Sequence, residues 1–157
     1  MNGPNRAAEP SWGAAEPSPG AAEPSRGADA PTRPVADAPS RAADPSCLFC
    51  RIVAGEIPAT MVHQDELVVA IRDIAPRAPT HVLFLPRLHI RSADELTEAD
   101  GPLLGRLFSA AAEFARAEGV AATGYRLVMN VGTWGGQTVD HLHLHLLGGR
   151  SMTWPPG

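Results

Sequence analysis

Apolar positions divide this chain into two unequal stretches. Residues 1–46 carry almost no large aliphatic or aromatic group, whereas 47–157 hold nearly every Leu, Ile, Val and Phe. Within the second stretch the period of the pattern changes, and each change predicts an element. Phe49, Ile52 and Val53 predict a short helix ending near Gly55. Glu56-Ile57-Pro58-Ala59 reads as a turn into a strand over 61–64, and Gln64-Asp65-Glu66 as a hairpin turn. The Val-Val-Ala-Ile run predicts a strand over 67–73, Pro76 and Pro79 a loop, and residues 80–86 a strand closed by Pro86. Ser92-Ala-Asp-Glu95 has the form of a capping box, and Thr97-Glu-Ala-Asp100 is a similar signal. Leu103, Leu107, Ala111, Phe114 and Ala115 recur at helical spacing, which predicts one long amphipathic helix over about 98–118, stopped by Gly119. Strands follow over 125–131 and 140–147, with a Gly-rich loop at 132–137 between them. Strands, one main helix, then strands predict an α+β fold. Its sheet is five-stranded and mostly antiparallel, with the long helix and a short N-terminal helix packed on it.

The first stretch repeats every seven residues: AAEPSWG, AAEPSPG, AAEPSRG, then decaying copies. Each unit carries Pro and no apolar a/d pair, so the period does not mean a coiled coil. Such a segment cannot bury enough apolar surface to offset chain entropy, and 1–46 is expected to be a disordered tail. The folded unit is then 47–157, enough for one core. Composition narrows the function. The 13 basic residues are all Arg, which excludes a P-loop or Schiff-base lysine. Residues 1–46 carry 4 Arg against 6 acids, and 47–157 carry 9 against 11, so neither is a basic footprint for nucleic acid. No apolar run approaches the roughly 20 residues of a membrane helix. The N-terminus has no apolar segment of the secretory kind. Cys47 and Cys50, in a short chain without such a signal, point to the cytosol, where the pair stays reduced or holds metal.

The strongest chemical signal is His141-Leu-His143-Leu-His145-Leu-Leu147. On a strand, side chains alternate with period two, so the three imidazoles share one face and Leu142, Leu144 and Leu146 the other. The Leu face can enter the core. The His face then lines a site, either as a metal centre or as a nucleophile with a proton-handling neighbour at phosphorus. The preceding loop, Asn130-Val-Gly-Thr-Trp-Gly-Gly-Gln-Thr138, favours phosphate. Gly135 and Gly136 let backbone N–H groups approach an anion, while Asn130, Gln137 and Thr138 add neutral donors.

His-Leu-His-Leu-His-Leu-Leu resembles the histidine triad signature, His-φ-His-φ-His-φ-φ. The flanks Ile57-Pro-Ala, Asp73-Ile-Ala-Pro-Arg-Ala-Pro-Thr-His81, Gly136-Gln-Thr-Val and Gly148-Gly-Arg-Ser-Met-Thr-Trp-Pro-Pro-Gly157 resemble the histidine triad nucleotide-binding (HINT) branch of the HIT family. The resemblance covers 47–157 and implies the HIT fold. It also implies hydrolysis of the P–N bond of adenosine or guanosine 5'-phosphoramidates, and of acyl-adenylates, to release the nucleoside monophosphate. By motif match, His143 is the nucleophile, His145 contacts the phosphate and helps protonate the leaving amine, and His81 supports them by hydrogen bonding. Asn130, Gly136, Gln137 and Thr138 hold the phosphate and the 5' oxygen. Asp73 binds the ribose hydroxyls, Ile74 packs on the base, and Trp154 borders the leaving group from the partner subunit. The resemblance further implies a homodimer whose sheets join edge to edge, no catalytic cofactor, and a cytoplasmic enzyme with no nucleic-acid or membrane partner. Some bacterial members hold structural zinc, which here would use Cys47, Cys50, His89 and His141. From residues alone, the Cys pair is equally a redox pair or two small core residues. The chain departs from the pattern at Thr138, where Ser is commoner, at Asp140, where the family is often aromatic or apolar, and at Trp134 in the loop. A binding module acting through partners, and another HIT chemistry such as dinucleoside polyphosphate hydrolysis, are the rival readings. Deletion of 1–46 is expected to leave activity unchanged.

Overall fold

The computed structural model describes residues 41–156. The heptad repeats and Trp12 lie outside the described residues. One five-stranded sheet forms from β1 (Met61–Gln64), β2 (Val68–Arg72), β3 (Thr80–Pro86), β4 (Tyr125–Met129) and β5 (Leu144–Gly148). Its order is β1-β2-β3-β5-β4, and every neighbouring pair is antiparallel. The helices are α1 (Leu48–Val53) and α2 (Gly101–Ala117). The α+β fold with one long helix is therefore as the sequence predicted.

The apolar runs in β2 and β3 follow from cover on both faces of the sheet. Val68, Ala70, Val82 and Phe84 pack with Leu107 and Ala111 of α2 and with Leu142, Leu144 and Leu146. The alternate residues Val69, Ile71, Leu83 and Leu85 pack on the opposite face with Phe49 and Ile52 of α1. The Leu side of the His-Leu alternation enters the first cluster, so the histidines are turned to the α1 side.

Boundaries shift where backbone partners change. β5 starts at Leu144, not at residue 140, and β4 ends at Met129, not at 131. The β3–β5 register pairs Phe84 with Leu144. Continuing it would set Pro86 opposite Leu142, and proline has no N–H for the ladder. Leu142 N–H instead donates to Ile90 O at 2.6 Å, and His141 N–H to Val139 O at 2.8 Å. His141 and His143 thus sit on the approach to the strand and only His145 lies within it. α2 starts at Gly101, preceded by a 3-10 turn over Glu98–Asp100, and ends before Gly119, whose φ of 80° is the left-handed conformation that suits glycine. The Thr97–Asp100 capping box forms. Ser92 caps only a 3-10 turn, and the Glu95 carboxylate accepts from Arg91 N–H at 3.0 Å, not from Ser92.

The domain's contacts begin before Cys47. The Arg41 guanidinium donates to both oxygens of the buried Asp100 carboxylate and, at 3.2 Å, to Glu95 O. Arg41 O accepts from His89 N–H at 3.2 Å, and Asp44 N–H lies 3.4 Å from Cys50 Sγ. Arg41 and Asp44, assigned to the tail by composition, thus contact the 3-10 turn before α2, the segment at His89, and α1.

Candidate active site

His143 and His145 each have one ring nitrogen engaged, and the partner decides what the other can do. His143 Nδ1 lies 2.6 Å from His141 O, a carbonyl that only accepts. Nδ1 therefore carries the proton, and Nε2 keeps its lone pair. Phe49 of α1 packs edge-on against His143, with ring centroids 5.2 Å apart, and also against His141. The ring is held by that hydrogen bond and by Phe49, with a nucleophilic nitrogen available.

His145 is the opposite case. His81 Nδ1 accepts from Arg77 N–H at 3.1 Å, so the His81 proton sits on Nε2. That N–H donates to His145 Nδ1 at 2.9 Å. The His145 proton is then on Nε2, which is buried and has no hydrogen-bond partner among the described residues. Such a buried donor costs free energy unless a ligand satisfies it. Burial, then the neighbouring His143 and His81, push His145 down to about 4, against the opposing pull of Asp73. Burial also lowers His81, with Asp73 opposing. Asp73 Oδ2 lies 3.5 Å from His81 Nε2, and its Oδ1 accepts from Ala75 N–H at 2.7 Å. Asp73, His81 and His145 form a neutral-imidazole chain that presents an N–H.

A cavity of about 290 Å³ opens over these groups. Its polar wall includes Asp73, Thr138, His143 and His145, and its apolar wall includes Ile57, Ile74 and Leu83. Ile74 is fully exposed, free to meet a flat ligand at the mouth. Asn130 and Gly136 adjoin one another on the loop beside Thr138: a Cβ at Gly136 would lie 3.9 Å from Asn130 Nδ2. A Cβ at Gly135 would collide with the Val131 carbonyl, so the loop folds back on itself only with glycine there. Gln137 differs from its expected role as a free donor. Its side-chain amide donates to Arg91 O at 2.6 Å and Val139 O at 3.0 Å, and its Oε1 accepts from Gly132 N–H. It braces the loop. Trp154 and Trp134 are exposed, and Trp154 does not line this cavity in the single chain. Asp140 faces outward and pairs with Arg91 at 3.4 Å.

His141 faces away from the cavity toward the cysteines. Its Nε2 lies 3.0 Å from Pro86 O and so carries the proton, leaving the Nδ1 lone pair 3.5 Å from both Cys47 Sγ and Cys50 Sγ. His89 Nδ1 lies 3.2 Å from Cys50 Sγ. All four residues are buried, and their donor atoms lie within 4.8 Å of one another. Two sulfurs and two imidazole nitrogens suit zinc, and the Pro86 carbonyl fixes the tautomer that coordination needs. This cluster can hold a metal ion. Burial raises the Cys50 thiol, a cost that a bound cation offsets.

The Arg77 and Pro86 backbone groups that set these tautomers carry no sequence signature. Phe49, read only as helix core, carried one: it lies between the two cysteines.

Comparison with known proteins agrees with this geometry. The family model described as "HIT domain" matches residues 54–152. Purine nucleoside phosphoramidase of Escherichia coli is 47% identical over 105 residues, covering 67% of this chain and 88% of that protein. An uncharacterised HIT-like protein of Synechococcus elongatus is 49% identical over 110 residues, covering 70% and 96%. The crystal structure of a HIT family hydrolase from Legionella pneumophila superposes with a TM-score of 0.71 at 54% identity, covering 71% of this chain and all of that one. With the triad, its supporting histidine and the sheet that carries them in place, the chain belongs to the HIT family, among its hydrolases.

Proposed function

We propose that this chain hydrolyses adenosine and guanosine 5'-phosphoramidates, and the related acyl-adenylates, to the nucleoside monophosphate. One observation carries the reading. Two adjacent imidazoles meet one cavity in complementary states, a lone pair on His143 Nε2 and an unsatisfied N–H on His145 Nε2. The similarity to purine nucleoside phosphoramidase supports the substrate class.

In the first step His143 Nε2 forms a bond to phosphorus. The P–N bond breaks with its electron pair on the departing nitrogen, which takes a proton from solvent and leaves as the amine. His145 N–H stabilises charge on the phosphoryl oxygen as it develops. Because His145 is neutral, it serves as a hydrogen-bond donor, in place of the proton source expected from the motif. Water then attacks phosphorus, the P–His143 bond breaks, and the monophosphate is released with His143 restored. The net reaction is phosphoramidate plus water to nucleotide plus amine. Asn130 and Thr138 hold the phosphate, with Gly136 allowing its close approach to the backbone, on the loop that Gln137 braces. Asp73 accepts from the ribose hydroxyls, and Ile74 packs on the base.

Cys47, Cys50, His89 and His141 hold a structural zinc in this reading. The ion supplies a fixed cross-link beside the catalytic segment and takes no part in the reaction. The active form is a homodimer joined along sheet edges, where the edge strands β1 and β4 are available, and Trp154 of one subunit borders the leaving group in the other. The enzyme works in the cytoplasm, without a nucleic-acid or membrane partner. No helix among the described residues is long and apolar enough to cross a membrane.

Steady-state hydrolysis of an adenosine 5'-phosphoramidate bearing a fluorescent amine tests the reading. Turnover by the wild type that disappears in His143→Ala is expected. A wild type no faster than the variant overturns it.

A further inference from the structure

A second, larger cavity of about 770 Å³ adjoins the nucleotide cavity. Leu48, Thr138 and Val139 line both, so they form the wall the two share. The chemistry of the second space is different. It is lined by Asp44, His89, Arg91 and Asp140. A nucleoside held by Asp73 and Ile74 brings its phosphorus to His143 and Thr138. What is bonded to that phosphorus and is not nucleoside then lies toward the far side of Thr138.

From this we infer that the cavity beyond Thr138 is a leaving-group subsite, and that it selects leaving amines that carry a further positive charge. The inference rests on the phosphoramidase reading and adds a substrate preference to it. Asp44 and Asp140 supply two negative charges and Arg91 one positive, so the lining is net negative. Arg91 and Asp140 are paired at 3.4 Å. Asp44 Oδ1 is engaged by the N–H and hydroxyl of Ser46, at 2.8 and 2.6 Å, while Oδ2 has no partner among the described residues. An independent feature also points to a ligand. His89 is 8% exposed and lines this cavity. Its Nδ1 is turned to Cys50, and its Nε2 has no hydrogen-bond partner among the described residues. A proton on that nitrogen makes it a neutral donor for a carbonyl oxygen of the leaving group, while the carboxylates take the ammonium. The charge pattern accounts for Asp140 as well: an acid beside a phosphate site is unfavourable unless it faces a cation, and here it pairs with Arg91 and faces away from the nucleotide cavity.

The test compares kcat/KM for adenosine 5'-phosphoramidates of three amines of matched length: 1,4-diaminobutane, butylamine and 4-aminobutyrate. Unit charges about 5 Å apart in a water-like dielectric change a rate ratio roughly fourfold. The expected order is ammonium over neutral over carboxylate, by roughly that factor per step at low salt, shrinking as salt shortens the Debye length to about 8 Å. Asp140→Asn and Asp44→Asn should each flatten the order. Equal rates on all three substrates, or an order that neither variant nor salt alters, overturn the subsite while the phosphoramidase reading stands. Absence of turnover on all three overturns both. If a variant loses the butylamine reaction too, the salt dependence of the wild type decides.

Discussion

His145 holds its proton on Nε2 because the His81 N–H already occupies Nδ1, 2.9 Å away. That assignment begins one residue further back, at the Arg77 N–H on His81. In the proposed reaction His145 therefore donates a hydrogen bond without changing charge. Its removal should resemble loss of a single oxyanion donor: His145→Ala is expected to lower kcat by about 10² to 10³-fold, read by steady-state kinetics, with the fold retained by circular dichroism. A loss of less than tenfold would mean that the orphaned N–H does not meet the transition state. The same group links stability to pH. Its value falls from 6.5 unfolded to about 4 folded, through burial and then His143 and His81, with Asp73 opposing. The unfolded chain takes up the proton first, so this contribution is complete above pH 6.5 and is lost as pH falls toward 4. Melting temperature should drop across that window, less steeply in His145→Gln; parallel slopes would contradict the assignment. At this scale the sequence was informative about residue types and silent about tautomers. The alternation of His and Leu placed the imidazoles on one face, but Pro86 O and Arg77 N–H are backbone groups that any residue supplies.

Arg41 shows where element boundaries escaped composition. It stands in a Pro- and Ala-rich stretch, yet its guanidinium meets a buried carboxylate that also accepts from the Thr97 N–H and hydroxyl. Those donors hold Asp100 well below the usual carboxylate range, Arg41 foremost. Arg41→Ala should lower stability by about 1–3 kcal/mol, the usual cost of losing a hydrogen bond to a charged group, measured by urea unfolding. An unchanged midpoint would place residues 41–46 outside the cooperative unit. Deletion of 1–46 should carry the same stability cost, a separate quantity from the activity that this cut is expected to leave unchanged. β2, β3 and α2 were legible because a run buried on both faces and a helical stripe leave strong patterns. The start of β5 was not, because Pro86 and the Ile90 carbonyl end the ladder through a long-range pairing. The clustered Cys and His residues lie up to 94 residues apart in sequence, and spacing alone left their pairing open. If the cluster holds zinc, a strong chelator should release about one ion per chain and lower the melting temperature, and Cys50→Ser should bind none. A fully folded wild type that never carries metal would leave Cys50 as a core residue.

At the scale of the whole molecule, the sheet works as a partition. One face buries the Leu side of the triad segment against α2, and the other holds the histidines beneath α1 and the cysteines. The cavity at His143 and His145 and the Cys/His cluster are thus neighbours on one side, joined through Phe49, which touches both His141 and His143. The central claim is that His143 becomes covalently bound to the nucleotide. Rapid acid-free quenching during turnover of an adenosine 5'-phosphoramidate, followed by peptide mass analysis, measures this directly. An adenylyl group on the peptide carrying His143, absent from His143→Ala, is the predicted result. Continued turnover by His143→Ala, or an adduct on a different residue, would contradict the account.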